Sequence, residues 1–178
     1  MKRKLLYILL LGAIILSSCE KDFLNLYPIT SISTVSFYKT KEHFDQAIVA
    51  SYNPMRNIAL NGIFMDEQRS DNTFFTYYSA DRSLYWWYEA LAEFIQDASS
   101  GPQGSPMVNR YNGDYLGISR VNTILGRIDA SQMTSNEKAS VRAEALFLRA
   151  FYYFDLIKYW GPVPLILKEV SSASEAFQ

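Results

Sequence analysis

An all-α fold is what this sequence predicts, and three observations carry the prediction. Ala139, Ala143, Leu146, Phe147, Ala150, Phe154 and Ile157 recur three and four residues apart, so they share one face of a long helix, expected to pack inward with the small residues 139, 143 and 150 admitting a neighbouring helix and Phe147 and Phe154 filling the gaps. That helix stops at Gly161-Pro162-Val163-Pro164, where glycine suits the residue just past a helix and proline cannot continue one. No segment alternates apolar and polar residues convincingly over the length of a strand.

The elements follow in order. Lys2, Arg3 and Lys4 precede an apolar run of 12 residues, 5–16. A spanning helix needs roughly 20 residues, so this run suits a secretory signal instead. Leu16-Ser17-Ser18-Cys19 puts small residues before the one cysteine of the chain. That is the pattern of a lipobox, in which the Cys19 thiol is acylated and becomes the mature N-terminus. A buried free thiol is the plainer alternative, and the position of Cys19 at the end of a removable segment argues against it. With Cys19 acylated no cysteine is left for a disulfide, and the fold must rest on packing. Loss of residues 1–18 removes three of 17 basic residues and none of 18 acidic ones, leaving 14 against 18, a net charge of −4. That balance excludes a nucleic-acid partner, which calls for a basic face.

Residues 23–37 read as an extended, Ser/Thr-rich approach containing Pro28. Thr40 is placed to cap the next helix, with Glu42 in its first turn. Phe44, Ala47, Ile48, Tyr52 and Met55 form its apolar stripe, and Pro54 predicts a kink or restart near Asn53. Residues 61–72 read as irregular, 89–97 as helical and 99–106 as a loop. Tyr111, Tyr115, Ile118, Asn122, Leu125 and Ile128 mark a further helix. Thr134-Ser135-Asn136-Glu137 fits a capping box opening the last one, which runs to about Trp160 and spans about 38 Å. The last two helices, joined by a short turn, make an αα-hairpin. The Ala143, Phe147, Ala150 spacing also matches the second helix of a tetratricopeptide repeat, although no second copy stands about 34 residues away.

Nine aromatics fall within residues 74–94, among them Tyr85, Trp86, Trp87, Tyr88 and Phe94. Flat rings stack on the C–H faces of sugars, while Asp71, Asn72, Asp81 and Arg82 are nearby partners for sugar hydroxyls. For a single aromatic, packing between helices is the commoner role. Adjacent Trp86 and Trp87 point in different directions, so one of them faces outward or into a groove. The ligand-binding candidates are therefore Trp86, Trp87, Tyr85, Asp71, Asn72 and Arg82. Asn122, inside an apolar stripe, is expected to hydrogen-bond a neighbouring helix or loop, and Arg149 and Glu144 to fix adjacent loops.

Enzyme chemistry finds little material. His43 is the only histidine, which leaves no Cys–His pair and no His/Cys metal cluster. Asp66, Glu67, Asp71 and Asp81 carry no spacing that specifies a glycosidase pair. Gly101-Pro102-Gln103-Gly104 lacks the lysine of a phosphate loop. The reading is of a binding protein with no catalytic residues, no metal and no cofactor.

The run from Ala143 through the Gly161-Pro162-Val163-Pro164-Leu165 exit closely resembles the signature helix of the SusD/RagB family of surface lipoproteins. Supporting pieces come in the expected order: Asp22-Phe23-Leu24 with Pro28, Phe37-Tyr38, the run Ala50-Ser51-Tyr52-Asn53-Pro54-Met55-Arg56, and Tyr115, Ile118, Asn122 and Leu125. Tyr111 stands where a Trp is common in the family, and Leu146 where a basic residue is usual. The resemblance implies tetratricopeptide-like helix pairs with long irregular loops. It implies capture of an oligosaccharide or polysaccharide for a SusC-like TonB-dependent transporter, by a protein held on the cell outer membrane, surface-exposed, through a palmitate-type lipid anchor. Some relatives bind peptides instead, and a helical scaffold that docks the transporter without binding nutrient is a third reading. The expected organisation is a lipoprotein signal peptide over 1–18, a lipidated tether and approach over 19–40, and a helical N-terminal domain over 41–178. Family members continue well beyond this point, so that domain is expected to be incomplete at its C-terminus.

Overall fold

The computed structural model describes residues 37–73, 86–95, 105–170 and 175. The chain divides into two units, Met1–Phe37 and Tyr38–Gln178, and every described element belongs to the second. Those elements are α1 (Lys41–Tyr52), α2 (Met55–Met65), a 3₁₀ turn Glu67–Arg69, α3 (Trp86–Ala92), α4 (Pro106–Arg127), a 3₁₀ turn Ile128–Ala130 and α5 (Ser135–Trp160). Among the described residues there is no strand, and the fold is all-α as the sequence predicts.

Helix ends fall where local chemistry puts them. Pro54 separates α1 from α2 through a turn at Asn53 and Pro54, the restart expected there. Thr40 holds the N-cap position of α1, but its side chain makes no cap bond. Ser105 caps α4, accepting the Val108 N–H, with Pro106 just inside the helix. The α5 capping box is complete. Thr134 Oγ1 accepts the Glu137 N–H, and the Glu137 carboxylate accepts the Thr134 N–H at 2.8 Å. Gly161 ends α5 at φ 66°, a left-handed conformation that glycine adopts freely.

Two boundaries differ from expectation. Residues 61–65 continue α2 rather than starting an irregular stretch, because this helix packs along α4 and buries Asn61 and Met65, with the Asn61 amide satisfied by the Asn57 carbonyl at 2.6 Å. α3 starts three residues earlier than expected, at Trp86, and stops at Ala92, well short of 97.

Helix α4 is the centre, packing against α1, α2 and α5, while α1 also meets α5 and α2 meets α3. The core is built from Phe44, Ala47 and Ile48 of α1, Ile118, Val121 and Ile124 of α4, and Val141, Ala145, Leu148, Tyr152 and Leu156 of α5. The predicted inner face of α5 is therefore the wrong one. Ala139, Ala143, Leu146, Phe147, Ala150, Phe154 and Ile157 are all exposed, with Phe147 at 60% and Phe154 at 61%. α5 carries two apolar stripes of helical spacing, and periodicity alone selects the more apolar one. The buried stripe contains Tyr152 and Asp155, whose polar ends find partners that only the folded neighbours supply.

Residues 161–170 leave α5 and lie along the α4–α5 hairpin, held by side chains. Asn122 Nδ2 donates to the Ile166 carbonyl at 2.8 Å and to that of Lys168 at 3.2 Å. Arg149 Nη1 donates to Asn122 Oδ1 and to the Leu167 carbonyl. Tyr115 and Tyr153 donate to the carbonyls of Pro164 and Ile166. Asn122 and Arg149 thus have the loop-fixing role expected of them. Glu144 instead joins two helices, accepting from Tyr52 Oη at 2.9 Å.

Candidate functional site

Of the sequence candidates, Trp87 lies on α3 and Asp71 and Asn72 follow the turn Glu67–Arg69; that turn and α3 pack against each other and against α2. Trp87 is half-buried with its ring 5.8 Å from Tyr88, and Tyr88 in turn lies 4.5 Å from Phe64 of α2. Tyr88 therefore anchors α3 to α2 in the packing role that aromatics commonly take. Trp86 opens α3. Its side chain, together with Tyr85, Arg82, Asp81 and Cys19, lies outside the described residues. Asp71 and Asn72 are exposed just past the turn. Ser70 Oγ and Thr73 Oγ1 both donate to the Glu67 carbonyl, and Asn72 N–H donates to Ser70 Oγ. The segment carrying Asp71 and Asn72 is thus a closed loop rather than a free tail.

What positions this loop is a buried charge network that sequence reasoning missed. Arg110 of α4 is 2% exposed and grips Asp155 of α5 through two bonds of 2.7 Å, from Nε and Nη2. Its Nη1 reaches Asp66 at 3.3 Å, and Tyr159 Oη also donates to Asp66. The Tyr159 ring lies under the guanidinium at 4.1 Å. Asp66 caps the end of α2 and precedes the turn, so α4 and α5 together fix where the loop begins. The available signal was the intrusion of Asp155 into the apolar and aromatic run from Phe151 to Ile157.

Asp114, one turn beyond Arg110, belongs to the same network. It is fully buried, and as a carboxylate neither oxygen receives a hydrogen bond. Burial, and then the negative charge of Asp155, push its carboxyl up to about 8, against the pull of Arg110 and Lys158. A proton kept on Asp114 makes it a donor to Asp155, which resolves the missing partner.

Asp66 is engaged by Arg110 and Tyr159, and Asp114 with Asp155 is sealed inside the helices. Among the described residues no group of three His, Cys, Asp or Glu side chains is placed to hold a metal ion. Nor is any described helix long and apolar enough to cross a membrane.

By architecture the chain is an all-α protein built on a central helical hairpin. Comparison with known proteins makes this specific: the chain belongs to the SusD-like family, described as starch-binding and associating with the outer membrane, whose profile matches residues 22–176. It is 26% identical over 174 residues to SusD-like protein P38 of Formosa agariphila, covering 97% of this chain and 32% of that protein. SusD-like protein P25 of the same organism is 28% identical over 171 residues, covering 86% of this chain and 30% of the relative. A SusD-like protein of Bacteroides ovatus is 27% identical over 169 residues, covering 93% and 29%. The chain thus spans about a third of the length of the curated relatives it matches. No solved structure gives a significant match.

Proposed function

We propose that this protein is a surface-exposed lipoprotein of the outer membrane that captures an oligosaccharide for a partner SusC-like TonB-dependent transporter. The family match over residues 22–176 is the observation that carries the reading. The lipidated Cys19 supplies the anchor, and the α3 region supplies the ligand face. Trp86, Trp87 and Tyr85 form its platform, with Asp71, Asn72 and Arg82 as hydrogen-bonding partners. The aromatic content of 74–94 and the exposure of the Asp71–Asn72 loop beside α3 support that assignment. Capture of this kind requires no covalent chemistry, since stacking and convergent hydrogen bonds suffice.

The test is retardation of the full chain in native gels containing a panel of polysaccharides, beside a Trp86→Ala/Trp87→Ala variant. Circular dichroism checks that both are helical. Retardation by a glycan that is lost in the variant supports capture at α3. A helical protein that no glycan retards refutes the reading.

A further inference from the structure

Helix α5 shows water an apolar face that no described element covers. Its outer stripe from Ala139 to Ile157 holds no charged side chain, and Leu146, Phe147, Phe154 and Ile157 on it are 42% to 61% exposed. Beside that stripe the segment 161–170, held by Arg149 and Tyr153, adds Leu165 and Leu167, both exposed. A phenylalanine carries about 200 Å² of surface, so Phe147 and Phe154 each leave about 120 Å² in water. With their neighbours they reach the few hundred Å² of contiguous apolar surface that a monomer rarely keeps uncovered.

The pattern of the stripe says what fits it. Ala150 sits at the middle, with Phe147 and Phe154 three and four residues to either side, and Ala143 and Ile157 seven to either side. Lay a second α5 on the first, antiparallel about a two-fold axis at Ala150. Alanine then meets alanine at the centre, and each Ala143 meets the other copy's Ile157, which fills the space the alanine leaves. Charge agrees with this register. Glu144 and Lys158 are exposed on one flank of the stripe, seven residues to either side of Phe151. In an antiparallel two-fold pair a flank meets itself, so each Glu144 lies beside the Lys158 of the other copy. A parallel pair would set Ala143 on Ala143 and Ile157 on Ile157, leaving a gap at one level and crowding at another. It would also bring Glu144 and Lys158 against the flank that the segment 161–170 already covers.

We propose that the outer face of α5 is a self-association surface, on which a second copy of this chain packs antiparallel about a two-fold axis at Ala150, with Glu144 of each copy paired to Lys158 of the other. Both charges are available for this. Glu144 accepts from Tyr52 with Oε1 at the surface, and its Oε2 is left for the incoming ammonium. Lys158 stands 3.7 Å from Asp155 with 46% of its side chain exposed, so its ammonium reaches across the interface. Arg142 and Arg149, on the opposite flank, are engaged within their own copy by Asp129 and Asn122 and bring no unpaired charge to the axis. The pairing is independent of the glycan-capture reading and uses none of its residues.

The experiment is analytical ultracentrifugation of the full chain from micromolar to hundreds of micromolar, with circular dichroism checking the helicity of each variant. Ala150→Arg puts two cations at the axis, on a residue exposed in the single copy, and is expected to weaken dimerisation by more than about tenfold with helicity unchanged. Glu144→Lys alters both ion pairs at once through the symmetry and is expected to weaken it about tenfold. Glu144→Lys/Lys158→Glu is expected to restore it to within about twofold of the parent. Cross-linking reads the register in a Cys19→Ser background. Ala150→Cys is expected to give a disulfide-linked dimer, whereas Ala139→Cys, about 33 Å from its counterpart at 1.5 Å per residue, is not. Association that survives Ala150→Arg arises elsewhere, the apolar run 5–16 included, and overturns the surface. Equal cross-linking at both positions, or a double swap that fails to restore pairing, overturns the antiparallel register. A chain that stays monomeric throughout overturns the proposal, and one that is monomeric yet held by anionic phospholipid vesicles unless Ala150→Arg is present gives the face to a lipid surface instead.

Discussion

Gly117→Ala is a stabilising change by helix propensity and should be a destabilising one here. Gly117 lies inside α4 against the ring of Tyr152 from α5. A Cβ at this position falls 2.7 Å from Cδ2 of that ring and closer still to Cε2 and Cζ. The ring has no easy retreat. Tyr152 is fully buried, and its Oη donates to the Ser51 carbonyl of α1 at 2.5 Å, so it passes over α4 at Gly117 and pins α5 to α1. Alanine over glycine in a helix is worth about 1 kcal/mol. Against that stand about 1–3 kcal/mol for overpacking and about 1–3 kcal/mol for a buried hydrogen bond pulled apart. The sum is a net loss of about 1–5 kcal/mol. At about 2–4 °C per kcal/mol for a domain of this size, the melting midpoint should fall by several degrees. Gly126 on the same helix is the control: a Cβ there meets nothing within 4 Å, so Gly126→Ala should gain up to about 1 kcal/mol. Thermal and urea melts followed by circular dichroism at the helix band measure both. In a Tyr152→Ala background the Gly117→Ala penalty should largely vanish, which a double-mutant cycle reads directly. A Gly117→Ala protein as stable as its parent would refute the close approach of α4 and α5 at this point.

The two faces of α5 give the next test. Leu148→Ala, at a fully buried position, should cost about 2–5 kcal/mol, while Phe147→Ala next to it should cost no more than about 0.5 kcal/mol. Equal losses in urea melts would reverse the orientation of the helix. Asp114 makes stability pH-dependent: its carboxyl titrates near 3.8 when unfolded and is pushed up to about 8 by burial and then by Asp155 when folded. The folded state keeps a proton that the unfolded state gives up, so this contribution is complete below 3.8 and is lost as pH rises through about 8. Asp114→Asn, which retains a donor toward Asp155, should flatten the fall in melting midpoint between pH 4 and about 8 and raise the midpoint at pH 8. An unchanged slope would remove Asp114 as its source.

Most of the fold was legible in the sequence because its signals are local. The Thr134–Glu137 box, the Pro54 break and the Gly161 stop each act over a few residues and need no partner from elsewhere in the chain. Asn122 could also be read, since an amide in an apolar stripe has few places to go. The inner face of α5 could not. Val141, Ala145, Leu148, Tyr152 and Leu156 recur at the same spacing as the outer stripe, and what separates the two is whether α1 and α4 offer partners to Tyr152 and Asp155. The end of α3 was equally hidden, because Phe94 in a left-handed cap contradicts the local rule that places glycine there.

The candidate site inherits its precision from the least legible part of the molecule. Its loop belongs to no long helix and follows a three-residue turn, so neither propensity nor an apolar stripe holds it in place. Asp66 does, held by Arg110 from α4 and Tyr159 from α5. Removing one partner of a buried charge pair is far costlier than an exposed pair is worth, because the other charge is left unpaired. Arg110 also holds Asp155, so the same guanidinium locks the hairpin and aims the loop. A change at Arg110 therefore displaces Gln68, Arg69, Asp71 and Asn72 together without touching a ligand. The placing of the loop that carries Asp71 and Asn72 is thus set about forty residues away in sequence, by a side chain that shows no water-facing role at all.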